Sequence, residues 1–215
     1  MRRDVLSGIL LILGATIGVV VMHMHPVAHE LLESPDARWV ARLNVLVHGA
    51  AIASVPMLLL GLWGLTRRLG PSALGTTALA LYATGAAAML CAAVMSGFVA
   101  TDVIARLVSV EPDARGTWEA LLAYTGMINQ GFATVLVVAS SVAILLWSLA
   151  ILHSGRLQRA VAIAGVVVGS FVLLAFLGGH VGLDVHGFGL IVVAQSVWLI
   201  WIGILLLRMP SAAAT

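Results

Sequence analysis

Residues 160–179 read AVAIAGVVVGSFVLLAFLGG, and none of these positions carries a charged side chain. An α-helix needs about 20 consecutive apolar residues to cross the hydrocarbon core of a bilayer. Five further runs of this kind occur, and they lack the alternating pattern of membrane β-strands. The predicted spans are 5–22, 43–65, 73–101, 121–152, 160–179 and 187–207. The sequence therefore predicts an all-α polytopic membrane protein with six transmembrane helices.

The composition of the chain supports this fold class. Hydrophobic residues make up 61% of the 215 positions and charged residues only 9%. A soluble domain has about 45–50% and about 25% respectively, and a soluble fold of this size could not bury so much apolar surface. We expect a single domain over residues 1–215 that lies in a lipid bilayer. The net charge of +2 gives no basis for binding nucleic acid.

The arginines predict the orientation of the bundle. All eleven basic residues are Arg, and seven of them fall at one set of helix ends. These seven are Arg2, Arg3, Arg67, Arg68, Arg156, Arg159 and Arg208. Cytoplasmic ends are enriched in Arg and Lys, so we expect both termini in the cytoplasm and the protein in the plasma membrane, which in a bacterium is the inner membrane.

The connections between spans suggest three helical hairpins, formed by spans one and two, three and four, and five and six. A polar residue followed by glycine recurs near the start of each second span, at 48–49, 130–131 and 186–187, and predicts a weak threefold repeat. Segment 26–42 begins with Pro26 and predicts a short helix at the membrane interface. Segment 103–120 contains Pro112 and Gly116 and predicts a turn.

Histidines gather on the side of the membrane opposite to the arginines. Six of the seven lie at the outer ends of spans one, two, five and six: His23, His25, His29, His48, His180 and His186. Neutral imidazole is a ligand for copper, zinc and haem iron, and the nearby Met22 and Met24 favour copper. We predict a metal site with His48, His180 and His186 as ligands, completed by His23 or Asp102.

Other polar residues have supporting roles in this hypothesis. Asn44 and Asp184 are each four residues from a predicted ligand, so they are expected to orient the imidazole rings. His25, His29 and Gln130 are possible further members of the site. The alternative for His25 and His29 is simple solvation of the interfacial helix, because polar residues at helix ends need no function.

The predicted function is binding of a redox metal, as copper or haem b, at the outer face. Such a site would serve electron transfer, metal handling or the assembly of a respiratory complex. One alternative is a zinc-dependent hydrolase of a lipid-type substrate. Another is a small-solute transporter or a non-catalytic subunit that binds other membrane subunits or a second copy of itself. The sequence leaves open whether the protein is an enzyme.

Overall fold

The architecture is given by a computed structural model that describes residues 3–27, 30–31 and 36–208. These residues contain no β-strand. The helices with both ends in these ranges are α1 (Arg3–His23), α2 (Ala37–Leu69), α3 (Ala73–Val94), the π-helical turn Met95–Val99, α4 (Ala100–Ser109), α5 (Pro112–Ser154), α6 (Arg159–Leu177) and α7 (Val185–Arg208).

The membrane spans agree with the sequence prediction. Among the described residues, six helical stretches are long and apolar enough to cross a membrane. The third of them joins α3, the π-helical turn and α4 into one continuous stretch, Ala73–Ser109. Helices suit the interior of the bilayer, because every backbone polar group there must be paired within the chain. The protein is thus an all-helical, multi-pass membrane bundle.

The helices extend beyond the apolar runs from which the sequence predicts them. Residues 37–42, which the sequence assigns to the interfacial segment, form the first turns of α2. Residues 28–29 and 32–35 of that segment, with His29, lie outside the described residues. In the expected turn at 103–120, only Val110 and Glu111 interrupt the helices, and Pro112 opens α5. Proline suits this position because the first helical turn needs no N–H from it.

The six spans form a closed ring in which each packs mainly against two neighbours. The order around the ring is α1, α2, α3, α5, α6, α7 and back to α1. Helices that follow each other in the chain are all neighbours, so the packing does not single out three hairpins. The order also sets α3 and α7 at opposite positions of the ring.

The two ends of the bundle differ in character. We call the end with Arg3, 70–72, 155–158 and Arg208 the termini end, and the end with 24–27, Val110–Glu111 and 178–184 the histidine end. Asp4 and Arg68 form an ion pair of 3.6 Å at the termini end, and Arg156 donates to the carbonyl oxygen of Arg68 at 3.2 Å.

A tightly packed apolar core fills the half of the bundle nearer the termini end. Trp147 and Trp198 are fully buried there, among residues such as Leu62, Ile144 and Ile202. The indole N–H of Trp147 donates to Thr66 Oγ1, and that of Trp198 donates to the carbonyl oxygen of Val161, both at 3.0 Å. Paired indoles let these large rings pack without an unsatisfied polar group. The other half of the bundle holds the candidate site.

Candidate functional site

A pair of histidine rings lies at the histidine end. His25 follows α1 and comes just before the buried Pro26, while His48 is buried on α2. Their Nε2 atoms are 3.3 Å apart. The ring centroids are separated by 4.8 Å, and the planes meet at 71°. Two imidazoles from separate elements therefore converge edge-on, although 23 residues separate them in the chain.

The other nitrogen of each ring contacts a backbone carbonyl oxygen. His25 Nδ1 is 2.8 Å from the oxygen of Pro26, and His48 Nδ1 is 2.8 Å from the oxygen of Asn44. A carbonyl oxygen can only accept, so each Nδ1 carries the hydrogen and donates. In a neutral imidazole the remaining nitrogen is then a bare acceptor. Both facing Nε2 atoms thus present lone pairs to each other.

The environment of His25 favours its neutral form. Burial lowers the pKa of the His25 ring below its ordinary value of 6.5, because desolvation opposes the charged imidazolium. The hydrogen bond to Pro26 offsets this only in part. With both Nδ1 atoms donating to carbonyl oxygens, a proton or a metal ion between the two Nε2 atoms would bind to both rings.

Asn44 joins α2 to the third span. Its Nδ2 donates to the carbonyl oxygen of Ser96 and to Thr101 Oγ1, both at 3.0 Å. Thr101 in turn donates to the oxygen of Gly97 at 2.8 Å. Since the Ser96 carbonyl only accepts, these contacts fix the orientation of the amide. Asn44 Oδ1 is buried and has no hydrogen-bond partner within the described part of the chain.

The π-helical turn gives His48 its place. Its wider backbone hydrogen bond runs from the N–H of Ala100 to the oxygen of Met95. Gly97 lies inside this turn, and a Cβ built on it would collide with the Cβ and Cγ atoms of His48. Only glycine therefore lets the helix come this close to the imidazole. Such π-helical turns occur frequently at functional sites.

A cavity of about 640 Å³ opens beneath the histidine pair. Five of the six spans line it, and mostly with apolar side chains, as on α1, α5 and α7. His25, His48 and Asn44 lie on its wall near the histidine end, while Tyr82 and Ser196 lie on its wall deeper in the bundle. This volume is in the range of small-molecule sites, about 300–1,000 Å³.

The structure does not bring together most of the predicted ligands. His23, His180, His186 and Asp102 are exposed at the histidine end, and His186 lies at the cavity mouth. His29 lies outside the described residues. In the described residues no group of three or more His, Cys, Asp or Glu side chains is placed to hold a metal ion. The metal, copper and haem predictions thus have no support from such a cluster.

The predicted orienting residues act differently from the sequence hypothesis. Asn44 contacts the His48 ring through its backbone oxygen rather than its amide. Asp184 Oδ1 accepts from the backbone N–H groups of His186 and Gly187, at 2.9 and 3.1 Å, and caps α7. Gln130 Nε2 donates to the carbonyl oxygen of Leu183 at 3.2 Å, and so ties α5 to the turn before α7.

Sequence reasoning missed Tyr82 and Ser196. Both lie in apolar runs, and both carry a hydroxyl that needs a partner when buried. A hydroxyl group within an apolar run is the sequence feature that could have identified both residues.

Comparisons with protein-family models, with curated proteins and with solved structures find no match to this chain.

Proposed function

We propose that the protein is a membrane copper-binding protein that holds the ion between His25 and His48. The observation that carries this proposal is the facing pair of Nε2 atoms, 3.3 Å apart, with each Nδ1 at a backbone carbonyl. A backbone carbonyl is one of the usual partners of the far nitrogen of a metal-bound histidine, because it fixes the tautomer and the ring orientation.

The separation of the nitrogens favours a small ion over haem. For an ion about 2.0 Å from each nitrogen with a tetrahedral angle between them, the nitrogens lie about 3.3 Å apart. Two axial ligands on opposite sides of a haem iron would lie about 4 Å apart at the same bond length. The pair as it stands therefore fits a bent two-histidine arrangement, and copper is the better match of the two predicted metals.

The character of the surroundings favours Cu(I). Met22 lines the same cavity as the two rings, and a thioether with imidazoles is a donor set that selects Cu(I). Within the described residues, no carboxylate or thiol joins a ligand cluster. The zinc hydrolase alternative would need three protein ligands, one more than the facing pair of histidines supplies. A site with few neutral ligands at a cavity mouth suits reversible metal handling.

The arginines support one orientation of the copper site in the membrane. We place both termini in the cytoplasm and the histidine end outside, in the plasma membrane, because Arg68, Arg156, Arg159 and Arg208 lie at the termini end. The threefold repeat of hairpins stays a prediction. In this orientation the copper site receives its ion from the outer side.

Copper titration of the purified protein tests the proposal. Cu(I) is added under a reductant in competition with a chromogenic copper chelator. We expect one ion per chain for the native protein and at least a tenfold weaker affinity for His25→Gln and for His48→Gln. Losing one of two ligands removes a large share of the binding free energy, and about 1.4 kcal/mol corresponds to tenfold.

Matched variants come from the exposed histidines. His180→Gln and His186→Gln change the same residue type at the same end of the bundle, and we expect native affinity from both. Thermal unfolding of each variant shows whether the bundle is retained. Undiminished copper binding by His25→Gln, or loss of binding in the His180 and His186 variants, would contradict the assignment.

A further inference from the structure

The cavity reaches far below the histidine pair. Gly97 lies beside His48 near the histidine end, and Tyr82 lines the cavity fifteen residues earlier on the same span. At 1.5 Å per residue this is about 22 Å along the helix. A metal ion at His25 and His48 would occupy only the outer end of this space. The remaining length and apolar lining suit an elongated lipophilic molecule.

Two residues that are mostly buried and carry a hydroxyl group lie on the deep wall of the cavity. Tyr82 is 8% exposed and Ser196 is 4% exposed. The Tyr82 ring packs against Trp147 with 5.8 Å between ring centroids. Across the described residues, neither hydroxyl makes a hydrogen bond, and both residues line the cavity. Among the described residues, the fully buried side-chain oxygens without a partner are Asn44 Oδ1 and Ser148 Oγ, so the hydroxyls of Tyr82 and Ser196 are open to the cavity. A molecule that accepts hydrogen bonds from both would be stabilised there, because an apolar occupant would leave them unpaired.

The two hydroxyls approach the cavity from opposite helices at a similar depth. Tyr82 is on α3 and Ser196 is on α7, which occupy opposite positions of the ring. Gly85, one turn from Tyr82, faces Ala139 on α5. Gln195, next to Ser196, donates to Ser141 on the same helix α5 at 3.1 Å. Ala139 and Ser141 are two residues apart on α5, so Tyr82 and Ser196 lie at a similar depth in the bundle.

We infer that the cavity binds a lipid quinone, with its ring at Tyr82 and Ser196 and its tail towards the histidine end. A para-quinone carries two carbonyl oxygens on opposite edges of a flat ring, so each can accept from one hydroxyl. The long apolar tail matches the length of the cavity and its lining. The two oxygens of a fatty acid share one carbon atom, so they lie too close together to reach hydroxyls on opposite helices, and the charge of the carboxylate would be buried without a partner.

Equilibrium binding in lipid nanodiscs tests this inference. The probes are a decyl-tailed benzoquinone, decylbenzene, which has the same tail without oxygens, and oleic acid. Quenching of tryptophan fluorescence reports binding of the quinone, because Trp147 contacts Tyr82. Decylbenzene and oleic acid do not quench the indole, so their affinities are measured by how well each displaces the quinone. We expect saturable binding of the quinone and at least tenfold weaker binding of the other two probes. Equal affinity for decylbenzene or oleic acid, or no saturable quinone binding, would overturn the inference.

The two tyrosines of the chain provide a matched pair of variants. Tyr82→Phe removes one hydroxyl and keeps the ring on Trp147, whereas Tyr124→Phe makes the same change at an exposed position. One net hydrogen bond corresponds to about three- to tenfold in affinity. We expect that loss for Tyr82→Phe and for Ser196→Ala, and native affinity for Tyr124→Phe. Native affinity in both cavity variants would contradict the ring position.

The copper site and the quinone site are separable by experiment. His48→Gln is expected to lose copper and keep quinone binding, because the imidazole lies at the outer end of the cavity. Tyr82→Phe is expected to keep copper. Failure of copper binding alone would leave the quinone inference standing, and failure of quinone binding alone would leave the copper proposal standing.

Discussion

Asp184 shows how a residue with the chemistry of a metal ligand can serve the backbone instead. Its Oδ1 accepts two N–H groups at the start of α7, where the first turn of a helix has unpaired donors. The nearest imidazole nitrogen, His186 Nδ1, is 3.9 Å away, and both side chains are mostly exposed. The stable contacts of Asp184 are therefore those to the backbone.

The cap at Asp184 predicts a pH dependence of stability. Hydrogen bonds from Gly187 and His186 hold the pKa of the Asp184 carboxyl below its ordinary value of 3.8. A lowered carboxyl pKa adds stability that is complete above 3.8 and is lost as the pH falls through the folded-state pKa. We expect Asp184→Ala to lower the melting temperature at neutral pH. The difference from the native protein should shrink below pH 3.8.

Asp184→Asn is the control for this prediction, since asparagine caps a helix without titrating. Its melting temperature relative to Asp184→Ala should stay constant through the acid range. Copper affinity should be native in both variants. A stability difference that persists unchanged in acid, or a copper defect in Asp184→Ala, would show that the carboxylate acts through something other than the cap.

At the scale of elements, the π-helical turn at Met95–Val99 links the third span to the histidine pair. It sets Gly97 against His48 and offers the Ser96 oxygen to Asn44. Both contacts join α2 to the third span at the level of the histidine pair. The backbone of one span thus limits where the imidazole of another can lie.

Gly97→Ala tests this connection. The added Cβ would collide with His48, and overpacking of this kind costs about 1–3 kcal/mol. We expect lower stability and at least tenfold weaker copper binding, because the ring must move. Gly131→Ala is the matched variant, since a Cβ there meets open space. That change should stabilise α5 by about 0.5–1 kcal/mol. Native copper affinity in Gly97→Ala would contradict the role of the glycine.

The elements were predictable to different degrees. Apolar length alone predicts the six spans, and the structure confirms them because the bilayer demands long helices whatever their packing. The ends were less predictable. Residues 37–42 carry Arg38 and Arg42, yet they continue α2, since charged residues are accepted where a helix leaves the hydrocarbon. The π-helical turn contacts Asn44 and His48 on another span, and these contacts are not visible in the local sequence.

At the scale of the whole molecule, the bundle divides into a packed half and an open half. Trp147, Trp198 and their neighbours fill the half near the termini end, and the cavity occupies the other half. The sequence marks His48 as a candidate because it is polar in an apolar span. It does not mark His25 as its partner, because that contact depends on how the connection folds back over α2. The cap by Asp184 was predictable, since an aspartate directly before an apolar run is a helix-start signal.

The orientation of the bundle in the membrane decides which compartment the packed half and the open half face. The distribution of charged residues predicts this orientation. Arg68, Arg156 and Arg159 lie at the termini end, so this end should face the cytoplasm. In a Cys91→Ala background, which removes the single cysteine of the chain, His180→Cys and Gln158→Cys report on opposite ends. A membrane-impermeant maleimide should label His180→Cys in intact cells and Gln158→Cys only after permeabilisation. The reverse pattern would place the histidine end in the cytoplasm, and the copper site would then exchange its ion with that compartment.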